Sequence, residues 1–104
     1  MALLMLISAV RIPWELSASL NYERGKIAED KGDYPTAIQD FQKALASYPR
    51  SVDLLTSLAR AAHRAGDQPL ALDAVNRLIA RLGPDSEVSK DTIDLINQIR
   101  GNKP

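Results

Sequence analysis

Few residues of this chain could do chemistry. A nucleophilic triad can be drawn on paper from Ser57, His63 and Asp67, with the chain's single histidine as the base. No strained Gly-x-Ser-x-Gly elbow presents Ser57, and nothing beside it activates its hydroxyl. Ser57 is expected against solvent or a helix neighbour, and His63 as a partly exposed helical residue. Asp30 with Asp33, and Asp91 with Asp94, are paired carboxylates only by proximity. Helix caps and solvated faces explain them, because the spacing is not that of a calcium loop. There is no glycine-rich phosphate loop, no cysteine, and too few histidines for a histidine-based metal site. The sequence therefore predicts no catalytic residue, no metal, no cofactor and no small-molecule substrate, which is the profile of a non-enzyme.

The elements that carry these residues belong to one small unit. The 104 residues include 13 basic and 13 acidic side chains, and 45% are apolar. This balance argues against a nucleic-acid partner, which calls for a basic excess. The average hides an asymmetry. Residues 1–10 hold no charge and one polar side chain, Ser8, and all charges except Arg11 and Glu15 lie beyond Tyr22. A helix of that apolar length rises only ~15 Å, about half of a hydrocarbon core, so it does not span a bilayer alone. It has the length of a signal-peptide core but no Lys or Arg ahead of it, and it is expected to be retained. Leu3, Leu4, Met5, Leu6 and Ile7 are consecutive and would surround a helix on every side. Three readings stay open: a shallow membrane anchor with Arg11 and Trp14 at the interface, part of a longer membrane helix, or a helix packed on protein. Leu3, Leu4, Leu6, Ile7, Val10 and Trp14 are the candidate membrane or subunit contacts.

Beyond Tyr22 the chain repeats itself with a period of 34 residues. Gly32-Asp-Tyr-Pro-Thr-Ala37-Ile aligns with Gly66-Asp-Gln-Pro-Leu-Ala71-Leu. Outside that block Gly25 meets Ala59, Ala28 meets Ala62, Phe41 meets Val75, and Leu45 meets Ile79. Each Gly-Asp-x-Pro block ends one helix and starts the next: glycine takes the left-handed conformation, aspartate caps, and proline occupies the first turn, where no amide donor is needed. Tyr34, Ala37, Ile38, Phe41, Ala44, Leu45 and Tyr48 recur at helical spacing as one buried stripe, continued by Leu55, Leu58, Ala59, Ala62, Leu70, Ala71, Val75, Leu78, Ile79 and Leu82. Gly25, Ala28, Ala37, Ala59, Ala62 and Ala71 are small enough to let helices approach. After the stop at Gly83-Pro84, Ser86 is the expected cap of a terminal helix over residues 87–100, with Val88, Thr92, Ile96 and Ile99 inward. Residues 101–104 form a polar tail.

A 34-residue helix-turn-helix repeat with this pattern resembles the tetratricopeptide repeat family. The family's small, small, bulky, small, proline pattern falls on Gly25, Ala37, Phe41, Ala44 and Pro49, and again on Ala59, Ala71, Val75, Leu78 and Gly83. Asn21, Gln68 and Leu78 depart from it. The resemblance covers residues 18–85 and implies an all-α fold, a right-handed helical-repeat solenoid of antiparallel helix pairs. The expected organisation is an apolar helix over residues 1–14, a repeat domain over 15–100 with repeats at about 18–51 and 52–85, and a capping helix at 86–100.

The resemblance also implies that the first helix of each pair lines a concave surface. Tyr22, Lys26, Arg60, His63 and Arg64 are then the candidate partner-binding residues, with Lys26, Arg60 and Arg64 as a positive patch suited to an acidic peptide or lipid headgroups. Ser19, Glu29, Asp30, Asp53 and Thr56 share that face. The family's carboxylate clamp for chaperone tails is not evident, because its positions hold Tyr22, Ser57, Glu87 and Asp91. Two functional expectations follow. One is a non-catalytic interaction or assembly subunit, membrane-associated through residues 1–14, with its repeats on an aqueous face meeting a protein partner in a larger complex. The other is a soluble, cytoplasmic adaptor that binds an acidic peptide and folds its amino terminus back on the array. Two repeats fall short of the roughly three that such arrays need, so the outer edge with Leu16, Leu20 and Ile27 calls for cover.

Overall fold

A computed structural model of the chain describes residues 14–83 and 88–101, with side chains described from Ala18 onward. Within these residues there are five helices: α1 (Trp14–Asp30), α2 (Tyr34–Ser47), α3 (Val52–Ala65), α4 (Gln68–Leu82) and α5 (Lys90–Arg100). The apolar segment expected to form a helix at residues 1–14 lies outside them except for Trp14, which opens α1.

The connections are short because the turn chemistry is local. Gly32 and Gly66 adopt φ +78° and +80°, the left-handed region that costs glycine little. One residue later Asp33 accepts the Thr36 amide at 3.4 Å and Asp67 accepts the Leu70 amide at 3.3 Å, with Pro35 and Pro69 in the first turns. Both predicted caps are therefore formed. Ser51 caps α3 through the Leu54 amide at 3.2 Å. At the last helix the expectation needs correction. Ser89, not Ser86, is the cap, accepting the Thr92 amide at 3.2 Å, and the helix starts at Lys90 instead of residue 86 or 87.

Tight turns fold neighbouring helices back on one another, so α1 packs on α2, α2 on α3, and α3 on α4, while α5 lies across α3 and α4. The core that results is rich in alanine. Ala37, Phe41, Ala44, Ala59, Ala61, Ala62, Ala71, Ala74, Val75 and Leu78 are fully buried, joined by Leu55, Leu58 and Ile99. Small side chains bring backbones close, and Gly25 shows how close: a Cβ there would sit 2.5 Å from Cε1 of Phe41. The stripe is buried at its centre and frays at its ends, where Tyr48 and Ile79 are 39% and 38% exposed. Gln68 ties α5 down by donating its Nε2 hydrogen to the Ile99 carbonyl at 2.6 Å. On the opposite edge Leu20 and Ile27 are exposed along one face of α1.

Candidate partner-binding groove

The groove is made by helices that supply one side chain per turn. Along α3, Thr56, Arg60, His63 and Arg64 share a face, and along α5 so do Asp91, Asp94, Leu95 and Gln98. Together with Thr92 they line a cavity of about 420 Å³. Three of the five candidate residues, Arg60, His63 and Arg64, are thus brought together. Tyr22 belongs to a neighbouring depression of about 230 Å³ with Ala18, Ser19, Tyr48, Ser51, Asp53 and Leu54. Its ring leans on Phe41, with centroids 6.0 Å apart and planes at 47°. Lys26 lies over the Tyr22 ring, its Nζ 5.2 Å from the centroid, in a cation–π arrangement.

The supposed positive patch has a buried counter-charge. Glu29, expected on the exposed inner face, is only 7% accessible. Its carboxylate accepts Nε and Nη2 of Arg60, both at 2.8 Å, in the parallel fork that suits guanidinium and carboxylate. Arg64 adds a longer contact, Nη1 to Oε2 at 3.5 Å. The hydrogen bond to Glu29 raises the pKa of Arg60 above its usual value and outweighs the opposite pull of burial, with the Glu29 charge adding to it. Arg60 therefore stays charged and spends two of its donors inside the protein. Arg64, half exposed, keeps donors for a ligand.

The opposite wall carries Asp91 and Asp94, whose side chains make no ion pair with any described residue. The groove is consequently mixed in sign. Asp91 and Asp94, expected on a solvated face, line the groove instead. The signal for them was the repeat period itself. Carried one step further it aligns Lys26, Arg60 and Asp94, and likewise Asp30, Arg64 and Gln98.

The Ser57, His63 and Asp67 triad is not assembled in this geometry. Asp67 is used as a cap, and Ser57 is buried at 4% accessibility. Six residues apart on α3, Ser57 and His63 point roughly 120° away from each other around the axis.

Helices packed in succession, with a groove between α3 and α5, define a helical-repeat interaction module. A tetratricopeptide repeat model matches residues 22–87, more than half of the chain, and the chain belongs to that family. No curated protein matches it closely enough to add a further relative. Domains of this family bind protein partners, and protein–protein interaction is the function that membership carries.

Proposed function

We propose that the chain is a non-catalytic assembly subunit that takes a segment of a protein partner into the groove between α3 and α5, while its amino terminus associates with a membrane or a membrane protein complex. The observation that supports the groove is the fixed Arg60. Glu29 holds it rigid at the floor, and Arg64, His63, Asp91 and Asp94 stand around it with capacity left for a ligand. Preorganised polar groups of this kind reduce the ordering cost of binding. A segment carrying both acidic and basic residues suits this lining. A wholly acidic segment would meet Arg64 and the exposed Lys26, but also two carboxylates.

The membrane half rests on the uncharged residues 1–10. No helix among the described residues is long and apolar enough to cross a membrane. Two experiments separate the halves. A photocrosslinking residue at Thr56 or His63 should trap a defined polypeptide that the same residue at exposed Lys43 does not; equal trapping at both positions removes the groove reading. Carbonate or salt washing should leave the protein with the membrane fraction, and release as a monodisperse monomer removes the membrane reading.

A further inference from the structure

A cavity of about 370 Å³ at one end of the array is lined by Pro49, Arg50, Leu55, Arg77, Ala80 and Arg81, with no acidic residue among them. Arg77 is tethered, its Nη2 donating to the Pro49 carbonyl at 3.2 Å and its Nη1 lying 4.0 Å from the exposed Asp73. Arg50 and Arg81 are exposed, and their side chains make no hydrogen bond or ion pair among the described residues. Arg77 and Arg81 are one turn apart on α4, so their charges sit side by side, and Arg81 has no acidic partner among the described residues. Guanidinium groups grouped around a cavity suit phosphate oxygens, which they grip as planar forks.

Position in the fold favours one source of such oxygens. α2 ends and α3 begins at the loop that carries Arg50, and α4 reaches it at Arg77. The first turns of α1 meet the same loop, since Ala18, Ser19 and Tyr22 share a depression with Tyr48 and Ser51. α1 therefore begins at the end of the array that bears the arginines. Asp53 lines the α1 side of that end and Asp73 is set back along α4, so neither carboxylate lines the arginine cavity.

We infer that Arg50, Arg77 and Arg81 form a docking surface for the anionic headgroups of a membrane, engaged when the apolar amino terminus enters the same bilayer. This rests on the membrane half of the proposed function and adds the lipid chemistry to it. A single short apolar element binds bilayers reversibly, and a basic cluster beside it is the second signal that makes the attachment stable.

Cosedimentation of the full chain with vesicles of phosphatidylcholine, alone or mixed with phosphatidylglycerol, tests the inference. Wild type should bind the mixed vesicles tighter by roughly ten-fold or more, with the preference shrinking as salt rises. Arg50→Gln/Arg81→Gln should bind both vesicles alike, at the wild-type level for phosphatidylcholine, with an unchanged circular dichroism melt because neither side chain bonds to any other described residue. Equal wild-type binding to both vesicles overturns the arginine surface and leaves the anchor standing. A double variant that keeps the preference overturns it too, as does dependence on Arg50 and Arg81 for a soluble acidic peptide without vesicle binding. Failure of wild type to bind either vesicle removes the membrane reading itself.

Discussion

Arg60 on α3 reaches across to Glu29 on α1 and grips it with two parallel hydrogen bonds of 2.8 Å, linking the first helices of the two repeats. The glutamate is nearly buried, with a side chain 6% accessible, whereas the arginine remains 33% accessible. Removing the charge from one partner strands the other. Glu29→Gln is expected to cost about 1–3 kcal/mol, below the range for a fully buried pair because water still reaches Arg60. Replacing both, as Glu29→Gln/Arg60→Met, should recover part of that loss. Urea denaturation of the two variants measures it, and the double variant falling below the single would contradict the pairing.

Gly25 faces the Phe41 ring where a Cβ would lie 2.5 Å from Cε1 and 2.7 Å from Cδ1. Alanine gains about 1 kcal/mol of helix propensity over glycine, yet Phe41 is fully buried and has no room to retreat. Gly25→Ala is predicted to destabilise by roughly 1–3 kcal/mol. Adding Phe41→Leu should make the pair of changes less costly than their sum, which thermal melts can read.

Ser89 caps α5, and Gln68 and Ile99 hold the helix to the array. Ile99→Ala is expected to cost on the order of 2–4 kcal/mol where the helix docks. In a linear array such a loss stays near its origin. Amide exchange should therefore speed up in α5 and the adjoining face of α4 while α1 and α2 keep their protection. Uniform acceleration throughout would show that the array opens as a single unit.

Asp33 and Asp67 perform the same duty in successive repeats, and their replacement by alanine should be similar in effect, about 0.5–2 kcal/mol each. The two sites share no partner, so the losses should add within a few tenths. Denaturant midpoints of the two single variants and the double variant check this.

The helix boundaries at Gly32, Asp33, Gly66 and Asp67 were legible in the sequence because they depend on local rules: a positive φ, a side-chain cap and a proline that needs no partner. The alanine faces were legible from the period. Glu29 was not, since its burial depends on Arg60, 31 residues away, and no local pattern distinguishes a buried charge from a solvated one. The groove's second wall was missed for a related reason. Asp91 and Asp94 matter through the docking of α5, and that docking is fixed by Gln68 and Ile99, not by the aspartates' own neighbours. Ser86 was mistaken for the cap because Ser86 and Ser89 both precede good helix formers, and choosing between them depends on where α5 meets α3 and α4.

The central claim is that the α3–α5 groove receives the partner. It is tested most directly by recovering the tagged full chain from its native cells as wild type, as Arg64→Glu/His63→Glu, and as Lys43→Glu on the exposed side of α2. The account predicts that one defined protein accompanies wild type and Lys43→Glu and is lost from the groove variant, whose circular dichroism melt stays within a few degrees of wild type. Retention of that protein by a folded groove variant, or its loss on Lys43→Glu alone, would contradict the claim.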